Sequence, residues 1–437
     1  MQVESIGRNG VHTAQEARTE IQRSALRKNT WRFMPLLLVA FIINYLDRTS
    51  VGYAALTMNS DLRLTPAQFG WGAGILFAGY CFFEIPSNLA LHHYGARRWL
   101  ARIMITWGLA EAATSLVQGP TSFYIMRFLL GVAEAGFFPG ATLFLSCWFP
   151  PRERVRVQAL FALGIPLSAI IGAPLSTSIL RWGGFAGMHG WQAMFIIEGL
   201  PAVLVGFVVY AVLRNKPEDA HWLTPDERTE LAQMLNEGTG QHIKKDLTSA
   251  LKDPRVLMLA AIQCGFVLGG YGVGVWLPQI LRGHGLRLSE IGLLATIPPL
   301  ASACVLLTWS YVVTLRGRPV TNLAIMCLIG GIGLALAAHF NSLGVVMLGI
   351  TLTSASTISA VGILWTIPTT FLSERAAAGG LAFINSIGTL GGFAGPYIIG
   401  ILKETTGAFS AGIWAMSGFL FVSAILAAVL VRLVESK

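Results

Sequence analysis

FIINYLDRTSVGYAAL, residues 41–56, sets Asp47 and Arg48 in the middle of an apolar run. An ionisable side chain at bilayer mid-depth costs about 3 kcal/mol on insertion scales. A chain keeps such a pair there only where it faces a protein interior or a wet cavity. The stretch therefore reads as one helix of a membrane bundle that handles charge.

The rest of the chain supports the membrane reading. Of its residues 54% are hydrophobic and 12% charged, whereas soluble domains carry roughly 25% charged residues. A hydrocarbon core about 30 Å thick needs roughly 20 apolar residues per helix. Such segments fall at 34–58, 66–91, 99–118, 121–146, 153–180 and 190–213, and again at 255–282, 289–315, 320–339, 342–371, 376–402 and 408–433. The expected fold class is all-α and integral to the membrane, with twelve transmembrane helices in two bundles of six. The expected division is an N-terminal tail 1–33, a first bundle 34–213, a linker 214–254, a second bundle 255–433 and a C-terminal tail 434–437.

Lys and Arg set the expected orientation. With the N-terminus inside, 24 of the 31 Lys and Arg residues fall on the inner side and five on the outer, with Arg48 and Arg127 inside spans. That bias puts both termini in the cytoplasm of a cell whose plasma (inner) membrane the chain would cross. The net charge of +9 is spread over many loops rather than gathered in one patch, so it calls for no nucleic acid. Residues 1–33 lack an apolar core followed by a small-residue cleavage site, so the first span reads as retained. Cys81, Cys147, Cys264, Cys304 and Cys327 stand singly in spans and read as small buried apolar residues, neither disulfides nor metal ligands.

Within the linker, Thr224-Pro225-Asp226-Glu227 has the capping-box pattern with Pro at the first helical position. A short helix with Leu231, Met234 and Leu235 on one face should follow and lie against the membrane surface. Two bundles joined by such a linker suggest a transporter built from repeats. Gly and Pro recur inside spans, as in GVAEAGFFPG at 131–140, where small residues four apart let helices approach closely.

Arg127 and Glu134 share the fourth span and, seven residues apart, one helix face, separated by roughly 10 Å. With Asp47 and Arg48 they make two acids and two bases in the first half. Spans 7–12 hold neutral candidates instead: Gln263, Tyr271, Ser356, Ser359, Thr366 and Asn385, with Trp276 and Trp365. An always-charged Arg grips a carboxylate by a two-pronged hydrogen bond, which fits an anionic substrate. A carboxyl balanced between burial and a neighbouring Arg can load and release a proton. The alternative is fixed pairing, Asp47 with Arg127 and Glu134 with Arg48. Glu84, Glu111 and Glu198 read as structural, the first two because they stand toward span ends and Glu198 because its own span offers no base. Trp276 and Trp365 taken alone read as packing.

These residues resemble the major facilitator superfamily, and within it the anion:cation symporter family. The resemblance spans nearly the whole chain: YLDRTSVGYAAL, FEIPSNLALHHYGARRW, RFLLGVAEAGFFPGATLFLSCWFPPRERVRVQALF, FIIEGLPAVLVG, HWLTPDER and INSIGTLGGFAGPYIIG. It is similar to bacterial permeases for tartrate, hydroxyphenylacetate, phthalate and galactonate. The resemblance implies alternating access and symport of a small organic anion with protons, by a monomer in the lipid bilayer. No cofactor or catalytic residue is implied; protons are the coupling ion. Asp47 and Glu134 match the family's proton-coupling carboxylates, and Arg48 and Arg127 its anion-linked bases. Tyr45, Tyr80, Trp365 and Asn385 match positions that line the substrate cavity of its sugar-acid branch. The chain departs from the superfamily's loop motif at Ser87, Leu91 and His92, keeping Gly95, Arg97 and Arg98, which puts the loop's gating salt bridge in question. Ile165 stands where sugar-acid members place a polar contact and favours a less polar or aromatic acid.

An exchanger of organic anions or phosphate esters is the rival within transport; it would need the Arg pair but no titrating carboxylates. A membrane sensor would carry a sizeable soluble output domain. An intramembrane enzyme would need a nucleophile or metal constellation, and the eight histidines are dispersed, with no HExxH.

Overall fold

The computed structural model describes residues 2–185, 187–236, 253–368, 371, 372 and 374–435. Helices account for nearly all of it, and no strand occurs among the described residues. The first half contains α1 (Gln2–Asp61), α2 (Pro66–Tyr94), α3 (Ala96–Ala113), α4 (Pro120–Glu134), α5 (Phe137–Trp148), α6 (Pro151–Ala162), α7 (Gly164–Trp182) and α8 (Gly190–Val212). The linker helix α9 (Pro225–Asn236) follows. The second half contains α10 (Pro254–Gly283), α11 (Leu288–Leu294), α12 (Ile297–Arg316), α13 (Pro319–His339), α14 (Leu343–Leu364), α15 (Glu374–Thr406) and α16 (Phe409–Val434).

Among the described residues, ten helical stretches are long and apolar enough to cross a membrane. The charged α3 and the long α15 complete twelve. Three of the expected spans are each made of two helices, where the sequence suggested continuous ones. The fourth breaks between Glu134 and Phe137, the fifth at Leu163 and the eighth at Ala295–Thr296. At the first break Ala135 is extended and Gly136 is left-handed, with φ +87°, a conformation that favours glycine. The freed Ala135 carbonyl accepts a 2.6 Å hydrogen bond from Ser87 Oγ, as backbone at membrane depth requires. Ser87 also accepts from Trp99 Nε1 at 3.0 Å. The departure from the loop motif at Ser87 thus has a structural use. In the same loop Arg97 Nε donates to the Tyr210 carbonyl at 2.6 Å, and its guanidinium stacks on that ring at 4.6 Å. Main-chain oxygen and an aromatic face engage Arg97 there.

The bundles meet mainly through α2 with α15, α1 with α10, and α7 with α11 and α12. Gly70 and Gly74 of α2 lie against the Pro396 and Phe393 carbonyls, and Gly400 of α15 against that of Pro66. A Cβ at any of the three would collide with backbone. At this end, away from the linker, one apolar core runs from Val51, Ala54 and Phe69 across to Val275, Trp276 and Ile280. Toward the linker the first half has its own core around Phe33, Trp107, Phe144 and Trp148, which Tyr271 and Phe393 touch from the second half. The two halves are therefore closed on each other at the far end.

The capping box forms as the sequence suggests: Thr224 N donates to Glu227 Oε2 at 2.8 Å, and Glu227 N to Thr224 Oγ1 at 3.2 Å. Leu231 is fully buried, with Met234 and Leu235 beside it. Instead of lying free on a surface, α9 docks on the N-terminal stretch of α1, which continues the first span as one helix. Lys28 Nζ meets Glu227 Oε1 at 2.8 Å, and Arg18 Nε meets Glu230 Oε2 at 2.8 Å. The five cysteines are free, but only Cys327 is buried; Cys147 and Cys304 are exposed on the outer surface of the helices. Their small apolar side chains suit a lipid-facing surface as well as an interior.

Candidate functional site

Six ionisable side chains converge inside the first bundle, from α1 (Asp47, Arg48), α3 (Glu111), α4 (Arg127, Glu134) and α8 (Glu198). Asp47, Glu111 and Glu134 are 0% exposed, Arg127 1% and Glu198 3%, so water satisfies almost none of their polar atoms. The tightest pair joins Arg48 Nε to Glu134 Oε2 at 2.7 Å. Glu134 is the last residue of α4, where the helix dipole opposes a carboxylate, and Arg48 offsets that. Of the two partners only Arg48 retains access, with its side chain 14% exposed. Its guanidinium lies over the Tyr80 ring at 4.7 Å, a cation–π contact.

Asp47 is held differently. Trp107 Nε1 donates to its Oδ2 at 2.6 Å, while Oδ1 has no hydrogen-bond partner. Asp47 and Arg48, adjacent in α1, thus point to separate partners, as side chains about 100° apart on a helix can. Fixed pairing between Asp47 and Arg127 does not occur. The ion-pair partner of Arg127 is Glu111, with Nη1 to Oε2 at 3.9 Å. That is too long for a hydrogen bond, and Arg127 Nε and Nη1 make none. Glu111 Oε1 accepts instead from Ser50 Oγ at 2.8 Å. A fully buried guanidinium this loosely held is costly.

The residues matched to a cavity divide. Tyr45 and Tyr80 lie at the seam between the bundles. Tyr45 faces Tyr271 with ring centroids 6.4 Å apart, and Phe77 meets Tyr271 edge-on at 4.7 Å. Asn385 reaches across from α15, its Nδ2 donating weakly to Glu84 Oε1 at 3.4 Å. Trp365 is part-exposed at the C-terminal end of α14, and no described hydrogen bond or ring contact ties it to the charges. Trp276 is packing: it is fully buried, donates to the Pro396 carbonyl at 3.0 Å and meets Phe69 edge-on. Ser356 and Ser359 bond carbonyls of their own helix at 2.9 and 2.8 Å.

Sequence reasoning missed Glu111 and Glu198. Glu111 sits two residues before the end of α3, yet the following turn Thr114–Leu116 and the packing of α8 cover it. Glu198 lacks a base in its own helix and finds Ser176 of α7, whose Oγ meets Oε1 at 2.7 Å. The available signal was the count of acids: the first half buries more of them than Arg48 and Arg127 can neutralise.

The family model of the Major Facilitator Superfamily matches residues 37–396. A protein of Agrobacterium vitis named "Putative tartrate transporter" is 44% identical over 94% of this chain and 92% of its own length. A "Quinolone resistance transporter" of Acinetobacter baumannii is 37% identical over 91% and 93%. The "Inner membrane transport protein RhmT" of Escherichia coli is 34% identical over 89% and 90%. Among solved structures, a bacterial homologue of the lysosomal transporter Spinster, inward-facing and occupied, superposes with a TM-score of 0.74 at 17% identity. It covers 91% of this chain and 96% of its own.

Proposed function

Because this chain belongs to the major facilitator superfamily, and so is a multi-pass membrane transporter rather than an enzyme, we propose that it takes up a small organic carboxylate together with protons by alternating access. One observation carries this reading: a buried guanidinium, Arg127, with two nitrogens unpaired, beside carboxyls that neutral donors hold. A substrate carboxylate supplies the partner that Arg127 lacks, or competes with Glu134 for Arg48 at the seam. Asp47 and Glu134 are the proton-coupling carboxyls. Protonating Glu134 releases Arg48 to the anion, and deprotonation on the other side takes it back. An exchanger would need the guanidiniums but not Asp47 against an indole N–H.

Tyr45, Tyr80 and Asn385, with Tyr271, line the seam where the rest of the substrate would be read; Trp365, at the end of α14, is kept as a candidate on the resemblance alone. The names of the relatives point to tartrate; the aromatic seam and Ile165 favour a less polar acid. With the basic loops inside, both termini and α9 are cytoplasmic, the membrane is the bacterial inner membrane, and the far-end closure seals the path from outside. One chain supplies a complete path, so it works as a monomer with protons as its coupling ion.

Counterflow in proteoliposomes with tartrate, galactonate, phthalate and hydroxyphenylacetate tests the substrate class. Asp47→Asn combined with Glu134→Gln tests the coupling: we expect pH-gradient-driven uptake to vanish. Unaltered concentrative uptake in that double variant would sink the proton-coupling reading.

A further inference from the structure

We propose that Glu111 and Glu198 form a second proton-carrying pair, set back from the seam, so that one proton of each cycle rides on them rather than on Asp47 or Glu134. The inference rests on the proton-coupled reading above and deepens it. Four buried carboxyls share the first bundle with two guanidiniums. All four ionised would leave two negative charges without counter-charge in a dry interior, at a cost of several kcal/mol each. Geometry shows where neutral forms fit. Glu134 has Arg48 at 2.7 Å. Glu198 has a serine hydroxyl on one oxygen, and no hydrogen-bond partner on the other. Glu111 has a serine hydroxyl on one oxygen, and an Arg127 that stops at 3.9 Å from the other.

The two are connected to each other and to the known cluster. Gly199 of α8 packs on α3, where its missing Cβ would meet the Glu111 Cβ at 3.1 Å and the Ala112 N at 2.8 Å. This brings the neighbouring Glu198 up to Glu111. On the other side Ser50 Oγ bonds both Glu111 Oε1 and the Asp47 carbonyl, each at 2.8 Å. Glu111 therefore faces Asp47 and Ser50 of α1, Arg127 and Glu134 of α4, and Glu198 of α8. Glu198 faces Ser176 of α7, Tyr53 and Asp47 of α1, and Glu111.

The pair acts on the anion through Arg127. With a proton on Glu111, Arg127 has no reason to close the gap and is available to a substrate carboxylate or to Glu134. When that proton passes to Glu198 or leaves, the Glu111 carboxylate competes with the anion for Arg127 and speeds its release, without being required for it. Glu111 and Glu198 are positioning residues in this scheme: Glu111 acts through Arg127, Glu198 acts through Glu111, and neither touches the substrate.

The steady-state accumulation of radiolabelled tartrate in proteoliposomes, at clamped membrane potential and a fixed pH gradient, reads the proton count independently of rate. Glutamine mimics a permanently protonated glutamate. Losing one coupled proton lowers accumulation about tenfold per pH unit of gradient, and this is the expected result for Glu111→Gln and for Glu198→Gln. Ser50→Ala keeps every carboxyl; it should shift the pH at half-maximal uptake while leaving the accumulation ratio unchanged. Wild-type accumulation in both Gln variants overturns the inference. So does loss of counterflow together with accumulation in both, or a Ser50→Ala pH profile like the wild type. If the wild type exchanges tartrate but never accumulates it against a pH gradient, the proton-coupled reading itself falls, and this inference with it.

Discussion

The two bundles share an architecture and differ in what they bury, charges in the first and neutral hydroxyls and amides in the second. In the second, Ser356, Thr357 and Ser359 donate to carbonyls three or four residues back on their own helix, at 2.8–2.9 Å. Each such bond travels with its helix and costs nothing when helices shift. In the first, Asp47 depends on α3, Glu134 on α1, Glu111 on α1 and α4, and Glu198 on α7. These contacts cross helix boundaries, so any relative movement changes who is paired. A charge network of this kind senses protons and conformation together; the neutral hydroxyls of the second bundle, some of which also bond across helices, carry no proton to sense.

The largest effect should come from cutting that network at its least satisfied member. Arg127→Met keeps much of the side chain's length but leaves Glu111 without a cation. Because Arg127 is loosely held and Glu111 can stay neutral, the change removes the substrate's cation without stranding a buried charge. We expect no counterflow at any pH. The matched change in the second bundle, Gln263→Met, removes a buried amide whose Oε1 is already unpartnered and should be far milder. Equal losses from the two would abolish the contrast between the bundles.

A smaller effect separates reading from coupling. Asn385 contributes from the second bundle through one long hydrogen bond to Glu84. A neutral hydrogen bond to substrate is worth about 1 kcal/mol, so Asn385→Ala should raise KM severalfold. The pH profile of uptake should stay where it is, because Glu84, the carboxyl that loses this hydrogen bond, is not among the proton-coupling carboxyls. A displaced profile would mean that the second bundle takes part in coupling through Glu84, and the division between the bundles would fail.

The sequence made much of this legible. Twelve apolar segments, the capping box at Thr224–Glu227 and the four charges at Asp47, Arg48, Arg127 and Glu134 are all local patterns, and local patterns survive without coordinates. Pairing is another matter, since it depends on how each helix is rotated about its axis. Asp47 finds Trp107 and Arg127 finds Glu111 because α3 turns that face inward, and the period of α3 alone does not say so. The break at Gly136 was equally hidden: small residues at 131–140 announce close packing, but a left-handed glycine and a covering Ser87 belong to the tertiary structure. Glu198 stayed out of view because its partner, Ser176, is a residue type too common to signal anything.

The smallest expected effect concerns the linker, which the structure assigns to one side of the comparison by docking α9 on the first bundle. Burial pushes the Glu227 carboxyl up, but the Lys28 ammonium, the Thr224 backbone N–H and the Ser24 hydroxyl together hold it below the usual range. A carboxyl depressed in the folded protein contributes stability above its unfolded pKa, and that contribution is lost as pH falls through the lowered folded value. Because Lys28 is 38% exposed, solvent screens the pair, and its electrostatic share should be on the order of 0.5 kcal/mol. Glu227→Gln should therefore modestly raise amide exchange across residues 225–236 at neutral pH. Wild-type protection should converge on that of the variant in acid, below the ordinary glutamate range. Tartrate accumulation should be unchanged, since Glu227 lies outside the charge cluster. If Glu227→Gln alters the accumulation ratio, the docked linker is part of the coupling device, and the first bundle's network extends beyond the membrane.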